Sequence, residues 1–114
     1  MEKLLKMASD LGRAIREHER YRAIRESEEQ ILKDPEARKI QEDYEKQFIK
    51  IRQLEQEQKP VEVEDKRELQ RLHDLTRSHP GLQKLLKAQA DYFELMNNVN
   101  NAILLALAPE KEEG

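Results

Sequence analysis

From Leu4 onward, apolar side chains recur at Leu4, Met7, Ala8, Leu11, Ala14 and Ile15, the spacing that lines up residues on one face of a helix. Continued, that face would carry His18, Arg22, Arg25 and Glu29, whereas the apolar residues are Tyr21, Ile24, Ile31 and Leu32. The stripe changes phase at Glu17 to Glu19. A kink, or two helices meeting at an angle, is predicted there, although no Gly or Pro marks the place.

Asp34-Pro35-Glu36 predicts a helix start. Asp accepts from free backbone N–H groups, Pro suits the first helical position and Glu complements the positive helix end. Ala37, Ile40, Tyr44, Phe48, Ile51 and Leu54 then form an inward stripe, with Gln47 inside it and Ile49 on the opposite side. Pro60 disfavours helical backbone at Lys59, so the helix should end before that pair. Val61 to Asp65 reads as a linker or entry turn, and Leu69, Leu72 and Leu75 mark the next helix. His79-Pro80-Gly81 forces a turn, with Pro80 opening a final helix and Ser78 or His79 as its cap. The inward stripe of that helix is Leu82, Leu85, Leu86, Gln89, Phe93, Met96, Asn100, Ile103 and Leu107. Leu104 lies at its margin and Leu105 points away.

The pattern predicts an all-α fold: an antiparallel helical bundle of four to five helices with a long C-terminal helix. A single domain over residues 1–108 is expected, followed by a polar tail over residues 109–114. Composition agrees with helices, because aromatics are 4% of the chain and the apolar residues are mainly Leu, Ile and Ala. The charged fraction is 39%, with both signs intermixed and a formal net charge of −3. No large basic field exists to attract nucleic acid or an anionic membrane. The longest apolar run, Ala102 to Ala108, is far short of the roughly 20 residues that cross a bilayer. The N-terminus reaches helical periodicity at once and lacks the long apolar stretch of a signal peptide, so a cytoplasmic location is expected.

Catalytic and metal chemistry find few footholds. There is no cysteine, which removes disulfides, thiol nucleophiles and cysteine-ligated zinc or iron–sulfur clusters. Di-metal bundles use inward Glu-x-x-His pairs, but Ile15, Gln70 and Thr76 stand three positions before His18, His73 and His79. No Gly-rich phosphate loop or nucleophile elbow is present. The expectation is no enzyme, no cofactor and no metal, with the histidines in structural roles. His18 would cap or line a helix junction.

Arg13, Arg16 and Arg20 share one side of the first helical region and form a possible basic face. They carry the alternative reading, a nucleic-acid-binding module. Intervening glutamates make a solvated face with local ion pairs the simpler account. Asn97, Asn98, Asn100 and Asn101 cluster in the last helix, where Asn is a poor helix former. An inward Asn can fix register between helices or subunits, and Asn100 is the candidate. Ile49, Leu104 and Leu105 lie off or at the edge of the inward stripes and, with Asn100, mark a possible interface. A homodimer is the expected assembly.

The succession Leu11-Gly12-Arg13-Ala14-Ile15-Arg16-Glu17, Asp34-Pro35-Glu36-Ala37, Phe48, Gln53 to Gln58, and His79-Pro80 before a long amphipathic helix resembles the YlbF/YmcA family over nearly the whole chain. The resemblance implies a helical bundle that associates with itself or with related helical proteins in the bacterial cytoplasm. It also implies a regulatory role in competence, sporulation and biofilm formation, through a complex that influences RNA processing by a membrane-bound endoribonuclease. Some proteins of that complex contribute cysteines to iron–sulfur clusters. This chain has none, so that property does not carry over.

Overall fold

The computed structural model describes residues 1–109, and among them the chain forms five helices and no strand. They are α1 (Glu2–Arg16), α2 (Glu19–Leu32), α3 (Pro35–Gln56), α4 (Val63–Ser78) and α5 (Pro80–Leu107). Of the expected polar tail, residues 110–114 lie outside the described part.

The break predicted at Glu17 to Glu19 is present, and a histidine makes it. The Glu17 and His18 N–H groups close α1 onto Arg13 and Ile15 carbonyls. His18 Nδ1 then accepts from the Arg20 backbone N–H at 3.1 Å, so the imidazole serves as a side-chain cap for α2. At α3 the Asp34 carboxylate accepts from the Ala37 N–H at 3.1 Å, with Pro35 as the first helical residue.

The far end of α3 closes without glycine. Lys59 N–H reaches back to the Leu54 carbonyl and Gln58 N–H to that of Glu55, the paired bonds of a Schellman end. This places Gln58 at φ 58°, a left-handed conformation that crowds an ordinary side chain.

The described residues fall into two units. One, Glu26–Leu86, contains the end of α2, all of α3 and α4, and the start of α5. Its core is Ile31, Ala37, Ile40, Leu72, Leu82 and Leu85. Helices α3 and α4 run antiparallel, as contacts pairing Lys50 with Asp65 and Tyr44 with His73 show. Helix α4 begins at Val63, inside the expected linker, because Glu64 and Asp65 supply a favourable acidic first turn. Gln47 donates to the Asp65 carbonyl at 2.9 Å and Lys50 meets the Asp65 carboxylate at 2.8 Å. Helix α4 thus engages the Gln47 and Lys50 side of α3. Phe48, expected inward, sits on the opposite margin of the stripe and is 46% exposed. Ser27 is buried, and its hydroxyl has no partner among the described residues.

The other unit joins Met1–Arg25 to the chain from Lys87 onward. Arg20 ties its parts together, donating to the Asp91 carbonyl at 3.1 Å and lying 3.8 Å from the Glu94 carboxylate. Tyr21 meets Tyr92 with ring centroids 5.9 Å apart. Its packing is thin: Ala88 is buried, and no residue of α1 is.

Two predictions follow from the local geometry. Gln58→Gly removes the left-handed strain and should raise the unfolding free energy by about 1 kcal/mol in urea titration. The Lys50 ammonium, hydrogen-bonded to Asp65, holds that carboxyl below the usual carboxylate range. The stabilisation it gives is present above about pH 4 and drains away as pH falls through the lowered value. Wild type should therefore exceed Asp65→Asn in stability at pH 7, and the gap should narrow at pH 3.

Candidate interaction surface

One group of ligand-type side chains converges among the described residues: Asp34, Glu36 and His79. Its hydrogen bonds define its role. His79 Nδ1 accepts from the N–H groups of Gly81 at 3.1 Å and Leu82 at 3.3 Å, so that nitrogen presents its lone pair and caps α5. A neutral imidazole with a bare Nδ1 carries its proton on Nε2, and Nε2 lies 3.1 Å from Asp34 Oδ2. No free lone pair faces the carboxylates, as metal ligation would require. The group is a clasp in which one side-chain pair caps the starts of both α3 and α5. Gly81 belongs to it, because a Cβ there would stand 3.1 Å from His79 Cε1. Beside the clasp, Glu36, Ile40, Leu75, Ser78 and Pro80 line an open groove of about 230 Å³. Of the two expected caps, His79 fills the role, while the Ser78 hydroxyl donates back to the Asp74 and Leu75 carbonyls. His73 is occupied too: its Nε2 lies 3.2 Å from the Tyr44 hydroxyl and its ring stands edge-on to the tyrosine.

Most of the exposed large apolar side chains belong to the unit built from Met1–Arg25 and the chain from Lys87. On α1 the predicted stripe forms, but among the described residues only Ile15 at its end is half-buried: Leu4 is 66% exposed, and Leu5, Met7 and Leu11 are exposed as well. Gly12 sits in the interior of this helix, four residues from its end, where it costs roughly 1 kcal/mol relative to Ala. A Cβ at Gly12 would meet nothing within 4 Å. The inward stripe of α5 is also corrected. Beyond Leu85 the chain's own packing covers Gln89 and Met96 of the expected stripe in part, and with them Ala88, Tyr92, Leu95 and Val99 in whole or part. Leu86, Phe93, Ile103 and Leu107 are exposed, and so is Asn100. The face is rotated because Ala88 and Tyr92 compete with Leu86 and Phe93 for it, and the Arg20 and Tyr21 contacts pull the Asp91–Tyr92 side inward.

Each residue singled out from sequence can now be placed. Leu104, Leu105 and Asn100 are exposed on the last turns of α5. Ile49 is exposed on α3, in the unit Glu26–Leu86. Of the basic face, Arg13 pairs with Asp10, Arg16 is exposed and Arg20 is spent on Asp91 and Glu94. Sequence reasoning missed the Asp34–His79 bond and the Gln47–Asp65–Lys50 set, since both join residues far apart in the chain. No described helix is long and apolar enough to cross a membrane.

Residues 4–108 match the family described as control of competence regulator ComK, YlbF/YmcA. The chain belongs to the YlbF/YmcA family. It is also similar to UPF0342 protein OB1136 of Oceanobacillus iheyensis, with 19% identity over 103 residues, covering 90% of this chain and 88% of that one. The family is thus one of regulators, and the match runs through all five helices, including the apolar faces of α1 and α5.

The clasp is open to direct measurement. His79→Ala should lower the unfolding free energy by about 1–2 kcal/mol, through the lost cap and the unpaired Asp34. His79→Asn keeps a capping oxygen and should lose less. Equal losses in urea unfolding would mean that the acceptor nitrogen is not what matters.

Proposed function

We propose that this member of the YlbF/YmcA family is a non-enzymatic regulatory protein that works by binding other proteins in the bacterial cytoplasm, as a homodimer. Its task is that of an adaptor in a complex controlling competence, sporulation or biofilm formation through RNA processing. Family membership supports the regulatory part. The observation that carries the binding part is α1, an amphipathic helix with no buried residue. An isolated helix of about 12–15 residues is marginal in water, and most helical stability in proteins comes from packing an apolar face. A helix of 15 residues with Gly12 in its interior therefore needs a partner for Leu4, Met7 and Leu11. The exposed turns of α5 in the same unit add Ile103, Leu104, Leu105 and Leu107. Several apolar side chains exposed along one helix face are the kind of surface that marks an interface rather than scattered exposure. A two-fold pairing is the commonest use of such a surface.

The nucleic-acid reading draws less support, because Arg20 is committed within the chain and Arg13 to Asp10. A partner protein with its own apolar helix suits the surface better than phosphate does.

Sedimentation equilibrium from micromolar to near-millimolar concentration should give twice the 13.6 kDa of one chain. The melting temperature should rise with concentration, since dimerisation stabilises by mass action. A 13.6 kDa species throughout, melting at one temperature, overturns the homodimer.

A further inference from the structure

Along the exposed side of α5 the residues Ala90, Phe93, Asn97, Asn100, Leu104 and Leu107 follow one another at alternating three- and four-residue steps, and all six are exposed. That is the heptad spacing of a coiled-coil seam. We propose that this stripe pairs with the same stripe of a second copy, antiparallel about a two-fold axis near Asn98 and Val99. The inference rests on the homodimer proposed above and specifies its interface.

Self-pairing is favoured by what the stripe contains. No ionisable side chain occurs from Leu95 to Pro109 in a chain that is 39% charged. A charged partner would find no complement there, whereas a second copy brings no repulsion. The antiparallel register follows from size and polarity. It sets Phe93 against the partner's Leu104, Ala90 against the partner's Leu107, and Asn97 against the partner's Asn100. Each layer occurs twice by symmetry, and the small Ala90 meets a leucine rather than another alanine, as close packing asks. In a parallel pair Ala90 would face itself, leaving a gap, and Phe93 would face itself, crowding the seam. Aligned helix dipoles would also oppose that arrangement. The two Asn–Asn layers exchange carboxamide N–H donors and C=O acceptors. A slipped register would leave those groups buried without partners, at about 1–3 kcal/mol each. The stripe therefore specifies its own alignment, and Asn97 and Asn100 act together in it.

The absence of native cysteine makes cross-linking a clean test. In the antiparallel register, positions 93 and 104 of opposite chains are neighbours. Identical positions are offset by 11 residues, about 16 Å along the axis, beyond the roughly 7 Å Cα separation a disulfide can span. The same offset prevents a link within one chain. With diamide as oxidant, Phe93→Cys alone and Leu104→Cys alone should stay unlinked, and the double variant should give a covalent dimer. Asn97→Asp with Asn100→Asp should abolish the dimer in sedimentation while circular dichroism stays helical, because these side chains are exposed within the chain. Covalent dimers from either single variant would overturn the antiparallel register in favour of a parallel one. A dimer that survives the double Asp variant and forms no link in the double Cys variant would place the interface elsewhere, with α1 the remaining surface, and leave the homodimer standing. A wild-type monomer would overturn both.

Discussion

The Asp34–His79 bond closes the beginnings of two helices at once, and the unit Glu26–Leu86 is arranged around it. Every helix start leaves backbone N–H groups without intrahelical acceptors. Here Asp34 uses one carboxylate oxygen for α3 and the other for His79, while His79 uses its second nitrogen for α5. The imidazole is 13% exposed, so its polar atoms are satisfied mainly by these partners. Pro80 contributes no N–H to satisfy, and Gly81 leaves the space that lets the ring approach. The core residues Ile31, Ala37 and Leu82 stand within one turn of this clasp, so capping and apolar burial reinforce each other. The three histidines that invited thoughts of catalysis are thereby accounted for: two cap helices and the third lies against Tyr44.

The second unit is organised differently. Its ties are polar and aromatic, through Arg20 and Tyr21, and its apolar residues largely face outward. Hydrophobic stabilisation scales with area removed from water at about 25 cal/mol per Å². The exposed leucines of α1 and of the α5 end contribute little of it within one chain. The apolar stripe of α1 is left almost wholly exposed among the described residues, and this is what the binding role proposed above rests on.

Local signals carried most of the fold. The phase slip after Ile15, the Asp-Pro start of α3 and the Pro80 start of α5 each depend on neighbouring residues, and all three lie where the sequence puts them. What could not be read depended on choosing among faces. On α5, apolar residues occur nearly all round the helix, so the periodicity alone admits both the Leu86–Phe93 face and the Leu85–Tyr92 face. Only the approach of Arg20 and Tyr21 decides between them. Phe48 was misplaced for a related reason: it sits at a stripe margin, and which margin is covered depends on where α4 lies. The start of α4 came two residues earlier than Asp65 because an acidic first turn extends the helix through a stretch that reads as linker. Of the residues singled out for a possible interface, Asn100, Leu104 and Leu105 lie exposed on α5, whereas Ile49 belongs to a different unit.

The two carboxamides also answer a problem that exposed apolar helices create. A stripe of Leu and Phe alone would pair with many alignments and many partners, since apolar contact is nearly indifferent to register. Asn at intervals makes the alternatives unequal, because burying it against Leu costs a hydrogen bond that burying it against another Asn retains. The stability given up by placing Asn in a helix, a few tenths of a kcal/mol each, is small beside that difference. In the pairing proposed above, discrimination comes from residues that look unfavourable in the isolated helix. The same logic explains why the stripe lacks charge: like charges brought together by a two-fold axis repel, whereas a carboxamide carries donor and acceptor on one side chain and can complement its own kind.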